Sequence, residues 1–184
     1  MTRIIGLSGS LRRNSFNTSL LRAAATVVPD AMELHTATLH GIPLYDADVE
    51  TTEGIPQRVT ELKDLIAGAN GLLLVTPEYN NSIPGVFKNA IDWLSRPPKD
   101  IARVFKGRPV ALIGASPGPF GTISSQSAWL TVLRALQMKP WFGQRLLVSR
   151  AESVFDSDGN LTDDSVREKL REFMAGFGAF ASGG

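Results

Sequence analysis

The chain has 184 residues, of which 43% are hydrophobic and 20% charged, with a formal net charge of +1. This length predicts a single domain over residues 1–184, and the near-neutral charge gives no indication of a nucleic-acid partner. The sequence has no cysteine, which excludes disulfides, a thiol nucleophile and cysteine-ligated metals. We expect a cytoplasmic protein with no membrane partner, because no signal-peptide pattern is evident and the apolar runs are too short to span a bilayer.

Short apolar runs alternate with helical patterns along the whole chain. Apolar runs predict five strands, at residues 4–7, 32–36, 71–76, 110–115 and 145–149. Apolar residues at helical spacing predict five helices, over residues 18–28, 56–68, 84–94, 125–136 and about 163–177, the last entered through Thr162. The region from 39 to 54 is polar and irregular, and it is interpreted as a long functional loop.

This β-α-β-α order predicts an α/β fold, a doubly wound five-stranded parallel sheet with helices on both faces. Ligands of such sheets bind outside the carboxyl ends of the strands. The polar loops that begin at Ser8, Pro77 and Ser116 all follow predicted strands. We therefore expect these three loops to meet at one edge of the sheet.

The first loop, residues 9–17, has the composition of a phosphate site. It opens onto a helix N-terminus, whose N–H groups and dipole favour an anion. Ser10, Ser15 and Asn17 can donate to phosphate oxygens, and Arg12 or Arg13 can supply positive charge. The third glycine of a dinucleotide fingerprint and the Gly-Lys-Ser/Thr of a Walker loop are both missing, so a terminal monophosphate fits better than a pyrophosphate. The alternative is an N-capped loop with two solvated arginines.

The second loop, residues 77–82, offers a carboxylate and a ring. Glu78 has no partner base or metal cluster in the sequence, Tyr79 could stack on a ring, and the backbone near Asn80 could bond a heterocycle. An ordinary turn explains the same residues.

His35 and His40 lack a third ligand, so no metal site is predicted. Residues 156–160 begin like a calcium loop, but Arg167 stands where the bidentate Glu is needed, and a turn is predicted instead.

Several motifs together resemble the NADPH-dependent FMN reductases, which include bacterial chromate and quinone reductases and related azoreductases. The motifs are GSLR at 9–12, SFN at 15–17, GIPLYD at 41–46, PEYN at 77–80, PGVFKNAIDW at 84–93 and GAS at 114–116. They occur in the family's order and cover nearly the whole chain. The position of Arg13 varies in the family, so its role stays open.

The resemblance implies a flavodoxin-like fold that binds one FMN per subunit and uses NADPH or NADH as co-substrate. It assigns the phosphate side to Ser10, Arg12, Ser15, Phe16 and Asn17. It places Pro77, Glu78, Tyr79 and Asn80 at the edge of the isoalloxazine, largely through backbone groups, with Ser116 and Gly118 completing the site. It also implies a homodimer or homotetramer with the helix after Pro84 near the interface, although core packing explains that helix equally well.

No catalytic side chain is predicted, because a bound flavin carries the chemistry. The resemblance implies a ping-pong cycle in which hydride passes from NAD(P)H to the flavin and then two electrons pass to a quinone, azo, nitro or chromate acceptor. Two alternatives stay open. One is a flavodoxin-type electron carrier, which a net charge of +1 disfavours because acidic surfaces assist such docking. The other is a flavin-independent interaction module on the same fold.

Overall fold

A parallel β-sheet forms the centre of the computed structural model, which describes residues 1–183; Gly184, the last residue of the predicted domain, lies outside them. The strands are β1 (Thr2–Ser8), β2 (Met32–Ala37), β3 (Gly71–Val75), β4 (Pro109–Ala115), β5 (Lys139–Pro140) and β6 (Leu146–Val148). The helices are α1 (Phe16–Ala25), α2 (Ala47–Glu53), α3 (Gln57–Ala67), α4 (Gly85–Leu94), α5 (Ile101–Val104), α6 (Ile123–Ala135) and α7 (Asp164–Ala181). Two short 3-10 helices cover Pro98–Asp100 and Ala151–Ser153.

The strand order is β2-β1-β3-β4-β5, with β6 also paired to β4, and all pairs are parallel. The predicted flavodoxin-like α/β fold is therefore confirmed. The fifth position holds two short segments rather than one strand, because β5 pairs only with the start of β4 and β6 only with its end. Between them the Trp141 N–H donates to the Val110 carbonyl of β4 at 2.8 Å, and the Trp141 ring packs edge-on against Phe173 with centroids 4.8 Å apart.

The helices cover both faces of the sheet. Alternate strand residues such as Ile4 and Leu73 pack against α1 and α7, whereas Ile5 and Leu72 pack against α3, α4 and α6. Every residue of β3 is buried, as the unbroken apolar run predicts for a central parallel strand. The carboxyl ends of β1, β3 and β4 consequently share one edge of the sheet.

Several helix boundaries and small elements differ from the predictions. The region 39–54 is not all loop, because α2 forms there with the Asp46 carboxylate accepting the Asp48 N–H at 2.8 Å. None of its seven residues is buried, so it leaves no apolar periodicity in the sequence. The last helix has Asp163 rather than Thr162 as its N-cap, since the Asp163 side chain accepts the Val166 N–H at 2.9 Å. Among the described residues, no helix is both long and apolar enough to cross a bilayer.

Candidate functional site

The three polar loops meet at the carboxyl edge of the sheet and enclose a small groove. Eight of the predicted site residues line it, namely Ser10, Arg12, Ser15, Phe16, Asn17, Pro77, Glu78 and Tyr79. The remaining lining residues are Ala115, which ends β4, and Pro117, which follows that strand. Asn80, Ser116 and Gly118 do not line the groove, although they belong to the same loops.

The first loop ends at an N-capped helix terminus that faces the groove. Ser15 is the N-cap of α1, and its hydroxyl accepts the Thr18 N–H at 3.4 Å. The first amide groups of a helix have no acceptor within it, and Phe16 and Asn17 occupy those positions. The Arg12 guanidinium lies 6.0 Å from the centre of the Phe16 ring, beside the same terminus. These groups have the donor chemistry that binds a phosphate monoester.

The Asn17 side chain joins the first loop to the third. Its Nδ2 donates to the Ala115 carbonyl at 2.8 Å, and its Oδ1 accepts the Ala115 N–H at 2.9 Å. Asn17 is buried, and the residues that it joins are 98 positions apart in the chain. The side chain is thus committed to the protein backbone, and a contact from Asn17 to a phosphate would come from its N–H group.

The second loop is a tight hairpin turn. Tyr79 and Ser82 exchange two backbone hydrogen bonds of 3.2 and 3.0 Å, with Asn80 and Asn81 between them at φ values of 50° and 58°. Two central residues in the left-handed region define a type I′ turn, for which asparagine is well suited. The turn presents Tyr79 half-exposed, with its hydroxyl 3.5 Å from the Ser10 Oγ on the other side of the groove.

The Glu78 carboxylate caps helix α6. Its Oε2 accepts the N–H groups of Ser124 and Ser125 at 2.8 and 3.0 Å. The side chain of the N-cap residue Thr122 makes no capping hydrogen bond to the helix backbone. A negative charge is stabilised at a helix N-terminus. The side chain of Glu78 therefore ties the second loop to the helix that follows the third loop, and this leaves its backbone for the groove.

A buried hydrogen-bonded cluster around Thr76, which the sequence analysis missed, supports the second loop on the side away from the groove. The Thr76 Oγ1 donates to the Pro77 carbonyl at 2.9 Å, lies 2.9 Å from the Ser125 Oγ and accepts the Trp129 indole N–H at 3.0 Å. Thr76 is a polar residue directly after an apolar strand. Two of its three partners, Ser125 and Trp129, lie about 50 residues away in the chain. Sequence spacing could not identify them.

Ser116 and Gly118 shape the third loop. The Ser116 hydroxyl donates to the Gly121 carbonyl at 2.6 Å, and the Gly118 carbonyl accepts the Arg150 N–H at 3.0 Å. Both residues therefore support a loop whose neighbours Ala115 and Pro117 line the groove. Alanine and proline carry no functional group, so nothing in the sequence singled these two residues out.

Hydrogen bonds connect the segment between β2 and α3 to helix α4 and to Arg96, which lies just beyond the C-terminal end of that helix. Asn89 accepts the Tyr45 N–H at 2.8 Å, and the Tyr45 hydroxyl and Arg96 Nε both donate to Glu50 Oε2, at 2.9 and 2.8 Å. The hydrogen bond from Arg96 lowers the pKa of the Glu50 carboxyl group, and the bond to Glu50 raises the pKa of Tyr45. His40 Nε2 lies 3.2 Å from the Leu11 carbonyl, which brings this segment to the first loop.

A doubly wound parallel sheet with a helix N-terminus and a hairpin turn at its carboxyl edge is an arrangement suited to binding a mononucleotide. The sequence model described as NADPH-dependent FMN reductase matches residues 2–153. The chain belongs to this family. The predicted family, its enzymatic class and its cofactor FMN with NAD(P)H as co-substrate are thereby confirmed.

Relatives with similar sequences and folds agree with this assignment. The chain is 42% identical to an NAD(P)H-dependent FMN reductase of Pseudomonas aeruginosa over 92% of this chain and 90% of the relative. It is 38% identical to a 2-hydroxy-1,4-benzoquinone reductase of a Burkholderia species, over 97% and 95% of the two chains. The solved structure of FerB, a flavoenzyme NAD(P)H:acceptor oxidoreductase from Paracoccus denitrificans, superposes with a TM-score of 0.87 at 30% identity, covering 99% of this chain and 98% of FerB.

Proposed function

We propose that this protein is an FMN-dependent NAD(P)H oxidoreductase that reduces quinones. The observation that carries the proposal is the single groove that combines an anion-binding helix terminus with a fixed hairpin backbone. These two features match the two ends of FMN, a phosphate monoester and a planar ring with hydrogen-bonding edges. The relatives named as FMN reductase and benzoquinone reductase support the donor and the acceptor class.

Each proposed contact follows from the chemistry of the loops. Ser10, Ser15 and the N–H groups of Phe16 and Asn17 would hold the phosphate, with Arg12 supplying the positive charge. The backbone of Pro77, Glu78, Tyr79 and Asn80 would border the ring, because Glu78 and Thr76 fix that loop from behind. Ser116 and Gly118 would act by shaping the third loop rather than by direct contact.

Bound FMN supplies two-electron chemistry, accepting hydride from a nicotinamide and passing electrons to an acceptor. The chain itself would bind and orient both substrates over one open groove. Because donor and acceptor would share that groove, we propose a ping-pong order in which NAD(P)⁺ leaves before the acceptor enters. Azo dyes, nitroaromatics and chromate are further proposed acceptors, since no side chain of the groove demands a particular acceptor group.

An anaerobic titration of the FMN-reconstituted protein tests the proposal. We expect NADPH or NADH to bleach the visible flavin band within seconds and an added benzoquinone to restore it. A yellow protein that neither nucleotide bleaches would indicate the electron carrier, which is the second candidate. A colourless protein that takes up no FMN would indicate the flavin-independent module.

Replacing Arg12 with alanine should weaken FMN binding by about 10- to 100-fold, because a charge-assisted hydrogen bond to phosphate contributes about 1.5–3 kcal/mol. Fluorescence titration of the flavin-free protein with FMN measures the dissociation constant. Arg134→Ala, an exposed arginine on α6, is the matched control and should leave it unchanged. Equal FMN affinity in the Arg12 variant and the wild type would refute the phosphate contact.

We also propose that the protein forms a homodimer or homotetramer. The large apolar residues of α4, such as Phe87 and Trp93, are buried in the core, so the amphipathic pattern of that helix is no evidence for an interface. Exposed apolar residues on and beside α6 support association better, since Leu130 and Phe142 line one surface cavity and Phe142 is 69% exposed. Light scattering measures the mass of the assembly.

The cytoplasmic location stays a prediction.

A further inference from the structure

A second, larger groove adjoins the candidate site and shares Arg12 and Phe16 with it. Its volume is about 510 Å³, within the range of roughly 300–1,000 Å³ of small-molecule sites. Arg12 and Arg13 form its basic wall, and Glu152 with the turn at 156–159, to which the Arg22 guanidinium is hydrogen-bonded, forms its acidic wall. A molecule lying in the first groove can therefore continue into the second past Arg12.

The basic wall carries charge that the described part of the chain does not neutralise. Within residues 1–183, neither Arg12 nor Arg13 has a carboxylate oxygen within the 4.0 Å of an ion pair. Arg22 is held in place by neutral acceptors, since its Nη2 lies 3.2 Å from the Ser19 Oγ and 3.3 Å from the Asp158 carbonyl. Because Arg12 is assigned to the FMN phosphate, Arg13 is the guanidinium group that this wall offers to a second anion.

The opposite wall is acidic and rigid. The Asp156 carboxylate accepts the N–H groups of Asp158 and Asn160 at 3.0 and 2.7 Å and the Asn160 side-chain amide at 2.9 Å. The hydrogen bonds from Asn160 lower the pKa of Asp156, so this carboxyl group stays ionised at neutral pH. Glu152 and Asp158 are exposed on the same wall. The turn that the sequence predicts at 156–160 is therefore fixed by its own hydrogen bonds, and the exposed carboxylates of Glu152 and Asp158 are the acceptors beside it.

An aromatic pair lies between the two walls. The rings of Phe16 and Phe155 are stacked, with centroids 5.9 Å apart and planes inclined by 24°. Phe16 is partly exposed, and the Arg12 guanidinium lies beside its ring. The groove combines positive charge, an apolar surface for a flat ring and acceptors for N–H and O–H groups.

We propose that this groove binds the adenosine 2′-phosphate half of NADPH. The phosphate matches the Arg13 guanidinium, the adenine matches the Phe16 ring, and the amino and hydroxyl donors match the acidic wall. A free inorganic anion would use only the basic wall. The proposal rests on the proposed function, because the nicotinamide end must reach the first groove, and it makes Arg13 the residue that distinguishes NADPH from NADH.

Calorimetry and kinetics on the FMN-loaded protein test this proposal with Arg13→Ala and the control Arg134→Ala. We expect the wild type to bind adenosine 2′,5′-bisphosphate about tenfold more tightly than 5′-AMP, and Arg13→Ala to lose that difference. The ratio of kcat/KM for NADPH to that for NADH should also fall about tenfold in Arg13→Ala and remain unchanged in the control.

Equal affinity of the wild type for the two adenosine nucleotides would overturn the proposed groove, as would unchanged discrimination in Arg13→Ala. The calorimetric result does not depend on turnover. If neither NADPH nor NADH reduces the flavin while the bisphosphate still binds through Arg13, the proposed function fails and the groove stands. If the flavin is reduced and discrimination does not involve Arg13, the groove fails and the function stands.

Discussion

Replacing Gly9 with alanine should abolish tight FMN binding and lower the free energy of unfolding by about 1–3 kcal/mol, the usual cost of overpacking. A Cβ atom at this position would overlap Cδ1 of the Phe87 ring and lie 2.7 Å from its Cε1 and 2.9 Å from the Cδ of Pro77. Phe87 cannot retreat, because it is buried and packs edge-on against Trp129 with ring centroids 4.9 Å apart. The strain would therefore displace the first loop from the second.

Urea unfolding of the flavin-free protein and fluorescence titration with FMN measure the two effects of Gly9→Ala. Gly85→Ala is the matched control, since no atom lies within 4 Å of a Cβ built there. We expect the control to retain wild-type stability and FMN affinity. Wild-type FMN affinity in Gly9→Ala would mean that the close approach of the first two loops is not needed for the site.

The meeting of the three loops at one edge of the sheet could be predicted because the signal for it is local in the sequence. Polar residues directly after apolar strands predict loops at the carboxyl edge of a parallel sheet, and the structure brings eight of the predicted residues to one groove there. The roles of individual side chains within those loops were harder to predict from the sequence. The Glu78 carboxylate, for example, caps a helix that begins 45 residues later, a pairing that depends on tertiary packing.

The elements that escaped prediction lack a hydrophobic pattern. Helix α2 buries none of its residues, and α5 has only four, so neither leaves a periodic signal. The sheet's fifth position was predicted as one strand because residues 146–148 are apolar, while the two-residue strand β5 is too short to stand out. The conformation of such segments depends on their contacts with the rest of the fold. An example is the hydrogen bond from Arg96 to Glu50 of α2.

Three contacts hold the loops of the site against one another. Gly9 brings the first loop against Pro77 of the second, Glu78 ties the second to α6, and Asn17 ties the first to the third. A mononucleotide that touches all three loops depends on every one of these connections. Their effects on FMN affinity should exceed those of residues that only line the groove.

Asn17→Ala should accordingly be the most damaging of the side-chain truncations at the site. It removes both hydrogen bonds to Ala115, of 2.8 and 2.9 Å, from a buried position. Leaving buried backbone groups without partners costs about 1–3 kcal/mol each, so we expect the two lost bonds to lower the free energy of unfolding by about 2–6 kcal/mol. FMN affinity should fall at least tenfold, because the helix terminus is no longer held against the third loop.

Two further variants separate this structural role from a direct contact with FMN. Asn14→Ala, an exposed asparagine in the same loop, should leave stability and FMN affinity unchanged. Asn17→Asp retains an acceptor for the Ala115 N–H but has no donor for the Ala115 carbonyl, so we expect it to be destabilised as well. A stable Asn17→Ala variant with weakened FMN binding would contradict this account, since it would show that the side chain contacts the cofactor instead of holding the loops together.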